Sequence, residues 1–167
     1  MEQLAFAEKP IPYSDTEQLF RAYADMVYRL AFLRTRSGAD ADDVLQEVFL
    51  RCLRAKPVWK DAEHQKAWFL TVTINCTKSL LTSAWRRHTV PEQDGVLTMM
   101  ERDTDVYAAV LALPQKYRTV IHLHYYEGYS VAEIAGLTGL NENTVKSHLF
   151  RARDMLRQQL KGDYLDV

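Results

Sequence analysis

Thr144 to Arg153 reads TVKSHLFRAR, a run in which Lys146, Ser147, His148, Arg151 and Arg153 are threaded between apolar residues. Val145, Leu149, Ala152 and Leu156 step by 4, 3 and 4, so on a helix they share one face and must be buried. That spacing turns Asn143, Lys146, Ser147, Phe150 and Arg151 outward. Short polar groups at the start of a helix can bond base edges in a major groove, and basic groups further along can grip phosphates. The same ten residues also suit the solvated face of a surface helix. Phe150 fits a thymine methyl or a packing partner equally well.

The residues upstream favour DNA. Ser130 and Glu133 are spaced as a capping box for a short helix over Val131 to Thr138. Gly139-Leu140-Asn141 supplies a turn, and Asn141 can cap the helix that follows. A capped short helix, a glycine turn and a second capped helix with a basic outer face have the layout of a helix-turn-helix.

A second group of residues suited to nucleic acid lies earlier. Trp59, Lys60 and His64 precede the third helix, and Asn75, Lys78, Thr82, Trp85, Arg86 and Arg87 run along or just after it. Aromatic faces stack unpaired bases and basic groups follow a strand, so this mixture suits an opened single strand. Core packing is the competing reading for the tryptophans: it is preferred for Trp68 and equal for Trp59 and Trp85. A third group, Asp43, Gln46, Glu47 and Leu50, falls at i, i+3, i+4 and i+7, opposite the apolar stripe of its helix. An acidic face with one exposed Leu suits a basic amphipathic partner helix, although a solvated face has the same composition.

These groups need elements to hold them, and apolar residues recur at three and four throughout, with no competing alternation at two. The expected fold is all-α: two small helical domains joined by an acidic linker, the second with the helix-turn-helix. A first helix begins at SDTE, with Ser14 and Glu17 as a capping box, and carries Leu19, Phe20, Tyr23, Val27, Leu30 and Ala31. Ser37-Gly38 ends it. A second runs from about Asp40 to Ala55 and stops before Pro57; a third, from about Gln65 to Trp85, turns Trp68, Phe69, Val72, Cys76 and Leu80 inward. Residues 1–88 form the first domain, 89–103 the linker and 104–167 the second. There a short helix over Asp105 to Leu113 is followed by one from Pro114 to about Tyr126.

The 167 residues carry 47% hydrophobic content and a net charge of −1, which excludes a disordered chain and a uniformly basic coat. Charge is instead local. Residues 141–161 hold five basic residues against two acids, a balance of +3, whereas 92–105 hold five acids against Arg102, a balance of −4. Cys52 and Cys76 sit in apolar periodic segments and read as core hydrophobes of a reduced, cytoplasmic protein, not as a disulfide or metal pair. No stretch approaches the roughly 18 apolar residues of a membrane span, and no basic leader opens the chain. No cofactor is expected.

With these residues in hand, nearly the whole chain, Ser14 to Leu160, resembles the extracytoplasmic-function group of bacterial RNA polymerase sigma factors. ADDVLQEVFLRCL, at Ala41 to Leu53, is similar to the region-two helix that docks on the clamp helices of the polymerase β′ subunit. WFLTVTIN, at Trp68 to Asn75, with the WRR that follows, is similar to the promoter-melting segment. LPQKYRTVIHLHYYEGYSVAEIAGLTGLNENTVKSHLFRARDMLR resembles region four, including Leu113-Pro114, Arg118, Glu133-Ile134-Ala135, Thr144 to Ser147 and Arg151 to Arg153.

The resemblance implies a factor, not an enzyme, that binds core RNA polymerase through Asp43, Gln46, Glu47 and Leu50, with a second contact on the β flap. It implies minus-thirty-five readout by Asn143, Thr144, Lys146, Ser147, His148, Arg151 and Arg153, and minus-ten readout by Trp59, Lys60, His64, Asn75, Lys78, Thr82, Trp85, Arg86 and Arg87. It implies an acidic linker threading the polymerase channels and an anti-sigma partner that clamps both domains. Departures are visible. Ser79 and Thr82 stand where many members have Asp and Arg, Asn143 where Gly is usual and His148 where Arg is usual, which weakens the contacts carried to these positions. The chain ends at KGDYLDV, so no fused sensor is expected. A stand-alone response-regulator type DNA binder shares TVKSHL, but the first domain has no job there. For an enzyme, His122 and His124 do not share a helix face, and no phosphate loop or nucleophile motif is present.

Overall fold

The computed structural model describes residues 15–87 and 104–165, with side chains over 15–82 and 105–161. Seven α-helices account for most of these residues: α1 Thr16–Thr35, α2 Gly38–Ala55, α3 Ala62–Arg87, α4 Thr104–Leu111, α5 Gln115–Ile121, α6 Val131–Thr138 and α7 Glu142–Leu165. No β-strand occurs among the described residues. The expected linker, 89–103, lies outside them.

Local chemistry sets the helix ends. Asp15 caps α1 by accepting the Glu17 N–H at 3.0 Å, and Glu17 turns to Arg21 at 2.6 Å. The expected box from Ser14 falls on a residue outside those described. Arg36 takes a left-handed conformation (φ 55°) that closes α1, and Ser37 then caps α2 through the Asp40 N–H. The Ser-Gly pair therefore begins the second helix more than it ends the first. Asp61 caps α3 at the His64 N–H, 2.7 Å away, which starts that helix three residues earlier than its apolar pattern suggests.

α5 does not continue regularly to Tyr126. It passes into a π-helical turn over His122–Tyr126, closed by Glu127 N–H bonding to the His122 carbonyl at 3.0 Å. Apolar periodicity cannot separate α from π winding over five residues, so the wider turn was not expected.

One core lies among α1, α2 and α3, where Val27, Ala31, Val48, Phe49, Cys52, Trp59, Phe69 and Cys76 are buried. A second core gathers Val110, Leu113, Val120, Leu123, Ile134, Val145, Leu149 and Ala152 from α4 to α7. It also takes in Leu30, Leu33, Leu70 and Ile74 from the backs of α1 and α3. Those two helices thus carry two buried faces each. The single stripe expected for α3 accounts for the face toward α2; Leu70 and Ile74 are buried by the second half of the chain.

Polar groups fasten the halves. Arg118 on α5 donates from Nε to the Leu33 carbonyl at 2.8 Å and from NH2 to the Arg34 carbonyl at 3.1 Å, satisfying two of the last carbonyls of α1 where its dipole is negative. Arg34 donates to Thr77 Oγ1 on α3 and to Thr119 Oγ1 on α5 at 2.7 Å. Lys66 on α3 pairs with Glu127 at 3.1 Å.

Candidate nucleic-acid interface

The helix-turn-helix forms from the cues in its sequence. Ser130 Oγ accepts the Glu133 N–H at 3.2 Å while Glu133 Oε1 accepts the Ser130 N–H at 3.1 Å, a complete capping box. The Ser130 backbone N–H first, and its hydroxyl after it, hold the Glu133 carboxyl below its ordinary value. Gly139 closes α6 at φ 78°, a left-handed conformation that suits glycine and turns the chain within two residues. Asn141 Oδ1 then accepts the Thr144 N–H at 2.7 Å and starts α7.

α7 rests on α5 and α6 through Val145, Leu149 and Ala152, all buried. Asn143, Lys146, Ser147, Arg151 and Arg153 are exposed, and Thr144 is half-buried. His148 is different. Its ring packs edge-on against Tyr117 at 5.4 Å, its Nδ1 is buried without a partner, and burial together with Lys116 and Arg151 depresses its pKa. It is the least available member of the expected recognition set. Arg153 donates to the Tyr125 hydroxyl at 3.1 Å, and Phe150 stands 69% exposed.

In the first half, Lys60, His64, Asn75, Lys78 and Thr82 are exposed. His64 Nδ1 accepts the Lys60 N–H at 2.9 Å, so His64 braces the loop that it was expected to line. Trp59 corrects the sequence reading. It is 0% exposed, wedged against Phe69 and Trp68 with ring centroids 5.9 Å from each, and cannot stack on a base without leaving the core. Trp85, Arg86 and Arg87 belong to α3, but their side chains lie outside the described residues.

On α2, Asp43, Gln46 and Leu50 are exposed and Glu47 is half-buried, bonded to Arg51 at 3.1 Å. The four lie on one outward face, and Leu50 is 42% exposed at its end. The geometry offers an acidic docking ridge with an apolar tip on one half, and a polar and basic recognition helix on the other.

Sequence reasoning missed the seam between the halves. Arg34, Thr77, Arg118 and Thr119 are all buried there. Val27, Leu30 and Arg34 step by 3 and 4, so the spacing already placed a guanidinium on the apolar stripe of α1. A basic residue in register with a core stripe was the available signal.

Two family models match the chain: sigma-70 region 2 over residues 19–87, and sigma-70 region 4 over residues 103–156. The chain is 32% identical over 144 residues to RNA polymerase sigma factor SigV of Bacillus subtilis, covering 83% of this chain and 86% of that one. It is 35% identical over 154 residues to ECF RNA polymerase sigma factor SigL of Mycobacterium tuberculosis, covering 86% and 87%. Among solved structures, the sigma factor RpoE in complex with the anti-sigma factor NepR, from Bartonella quintana, aligns with a TM-score of 0.69 at 22% identity, over 87% of this chain and 96% of that one. CnrH in complex with the cytosolic domain of CnrY aligns at 0.60 and 22%, over 89% and 88%. At that identity the likeness is one of fold.

Proposed function

This chain belongs to the extracytoplasmic-function group of bacterial RNA polymerase sigma factors, and on that premise we propose that it docks on core RNA polymerase and directs initiation at specific promoters. Members of this family regulate transcription; the chemistry belongs to the polymerase. The observation that carries the reading is α7, a capped helix seated on the turn at Gly139 with Lys146, Ser147 and Arg151 facing solvent. Such a helix presents its early polar residues to base edges and its later arginines to phosphates.

In this reading residues 104–167 form the minus-thirty-five unit, residues 1–88 the polymerase-binding and minus-ten unit, and 89–103 the tether between them. Lys60, His64, Asn75, Lys78 and Thr82 are the described candidates for the opened strand. Trp59 contributes by holding their scaffold. The acidic ridge of Asp43, Gln46 and Glu47, with Leu50, suits a basic helix pair on the polymerase β′ subunit. The second unit offers a further contact to the β flap. An anti-sigma protein is the expected restraint, supported by the likeness to RpoE, which was determined in complex with the anti-sigma factor NepR.

The test is co-elution of the purified chain with bacterial core RNA polymerase in size exclusion, with Glu47→Lys alongside. Co-elution by the native chain and its loss in a folded Glu47→Lys variant are expected. A folded native chain that fails to co-elute would remove polymerase docking and leave a stand-alone DNA binder.

A further inference from the structure

Between the two halves lies a groove of about 490 Å³, walled by α1, α3, α5, α6 and α7. Its cations are Arg34, Lys78 and Lys116, His148 adds an imidazole, and among the described residues no carboxylate lines it. Its other wall is apolar, with Ile74, Leu81 and Val120. Volume and composition fall within the range of small-ligand sites, roughly 300–1,000 Å³ with a few convergent polar groups at a domain boundary.

The electrostatics of the groove are unbalanced. Arg34 is 6% exposed and bonds only to neutral acceptors: its Nε and NH1 go to threonine hydroxyls, and NH2 makes no hydrogen bond among the described residues. Burial first, and then the neighbouring Arg118, lower its pKa to about 10. His148 adds a buried Nδ1 without a partner. Lys78 reaches the Thr138 carbonyl across the seam at 3.1 Å. Buried charges are ordinarily paired, and a guanidinium that meets only neutral groups and further cations lacks the anion that would offset its desolvation.

We propose that this groove binds a phosphate-bearing ligand of nucleotide size, with phosphates on Lys116, Lys78 and Arg34 and a planar ring against Ile74, Leu81 and Val120. The ligand is a small molecule and not duplex DNA, because in the closed arrangement the two halves bound the space on opposite sides. The site is separate from the polymerase ridge on α2. It shares Lys78 and Thr82 with the expected minus-ten set and His148 with the minus-thirty-five set, so occupancy fastens the halves together and withdraws these side chains from DNA. Binding in the groove follows from the packing of the halves alone; only the withdrawal from DNA rests on the promoter reading.

The experiment is isothermal titration of the full-length chain, at about physiological salt, with ATP, inorganic pyrophosphate and adenosine. ATP is expected to bind one per chain, pyrophosphate more weakly and adenosine not at all. Lys116→Glu is expected to weaken ATP about tenfold or more, the loss of one charge-assisted contact. Arg21→Gln, about 20 Å along α1 from Arg34 by helix rise, should leave binding unchanged. Lys116 is exposed, so the variant is expected to fold, and its melting profile checks this. No binding by any phosphate compound overturns the proposal, as does equal weakening by Arg21→Gln. Binding that appears only after Glu92, Asp94, Glu101 and Asp103 are neutralised assigns the groove to the chain's own acidic segment. Binding of a single-stranded oligonucleotide but not ATP assigns it to DNA. Either result overturns the proposal while leaving co-elution with polymerase as a separate question.

Discussion

Lys146, Ser147 and Arg153 share one exposed face but stand in different relation to the start of α7. Lys146 and Ser147 lie in the second turn, where a helix entering a major groove meets base edges, whereas Arg153 lies two turns later beside Tyr125. Lys146→Ala or Ser147→Ala should therefore change the ranking of promoters, by about 1–3 kcal/mol at the base contacted. Arg153→Ala should weaken all promoters alike and reduce the slope of affinity against salt by about one unit. A promoter panel titrated at two or more salt concentrations separates the two. Equal, sequence-blind losses in Lys146→Ala would mean that α7 lies in the groove in another orientation. At this scale exposure could be read from helical spacing, because polar residues opposite a buried stripe face water in any packing. Trp59 could not be read this way: it lies in the connection between α2 and α3, where no period applies, and only the aromatic cluster with Phe69 decides its burial.

At the scale of elements, caps and turns transmitted well from sequence to structure. Ser130, Glu133, Gly139 and Asn141 act within three residues of themselves, so their geometry owes little to the rest of the molecule. Removing the cap tests that independence. Ser130→Ala should cost about 1 kcal/mol of stability, since the Glu133 N–H loses its acceptor at an exposed position where water partly replaces it. Chemical denaturation is the readout, and a change well below this figure would mean that α6 is held by Ile134 and Leu137 in the core with little help from its cap. The depressed carboxyl of Glu133 adds a pH signature. A carboxyl whose folded pKa is lowered contributes stability above its unfolded value, and that contribution is lost as pH falls through the folded pKa. Ser130→Ala keeps the backbone N–H that is the larger cause of the depression and removes only the hydroxyl's share, so the native chain should lose slightly more stability than the variant on acidification below about pH 4. The π turn after α5 could not be read, because an inserted residue leaves the apolar pattern almost intact.

For the whole molecule the issue is how the halves meet, and there the sequence was least informative. Contacts between residues 85 apart, such as Arg34 with Thr119 and Arg118 with the Leu33 carbonyl, depend on which two surfaces happen to complement each other. The closed arrangement also sets a condition on function. Elements named minus-ten and minus-thirty-five lie about 25 base pairs apart, roughly 85 Å at about 3.4 Å per pair, yet here Lys78 Nζ touches the Thr138 carbonyl at 3.1 Å. On the proposed promoter reading the halves part before both engage one promoter, which makes the seam an equilibrium that substitutions can tilt. Among the described residues Lys66 and Glu127 are the ion pair across it, with side chains 31% and 12% exposed. His122 first and Lys66 after it hold the Glu127 carboxyl below its ordinary value, against the opposing effect of burial. His122 belongs to the same half as Glu127, so its share concerns the folding of that half, while the share of Lys66 concerns closure. Lys66→Glu replaces the attraction with repulsion and should shift closure by on the order of 1 kcal/mol toward the open form. Small-angle scattering should show the native chain near the roughly 15 Å radius of gyration of a compact chain of 167 residues, and the variant expanded. Adding Glu127→Lys restores an opposite-charge pair and should return the compact form. An expanded native chain, or a double variant as open as Lys66→Glu alone, would mean that closure rests on the apolar seam of Leu30, Leu33, Leu70 and Ile74 and not on this pair.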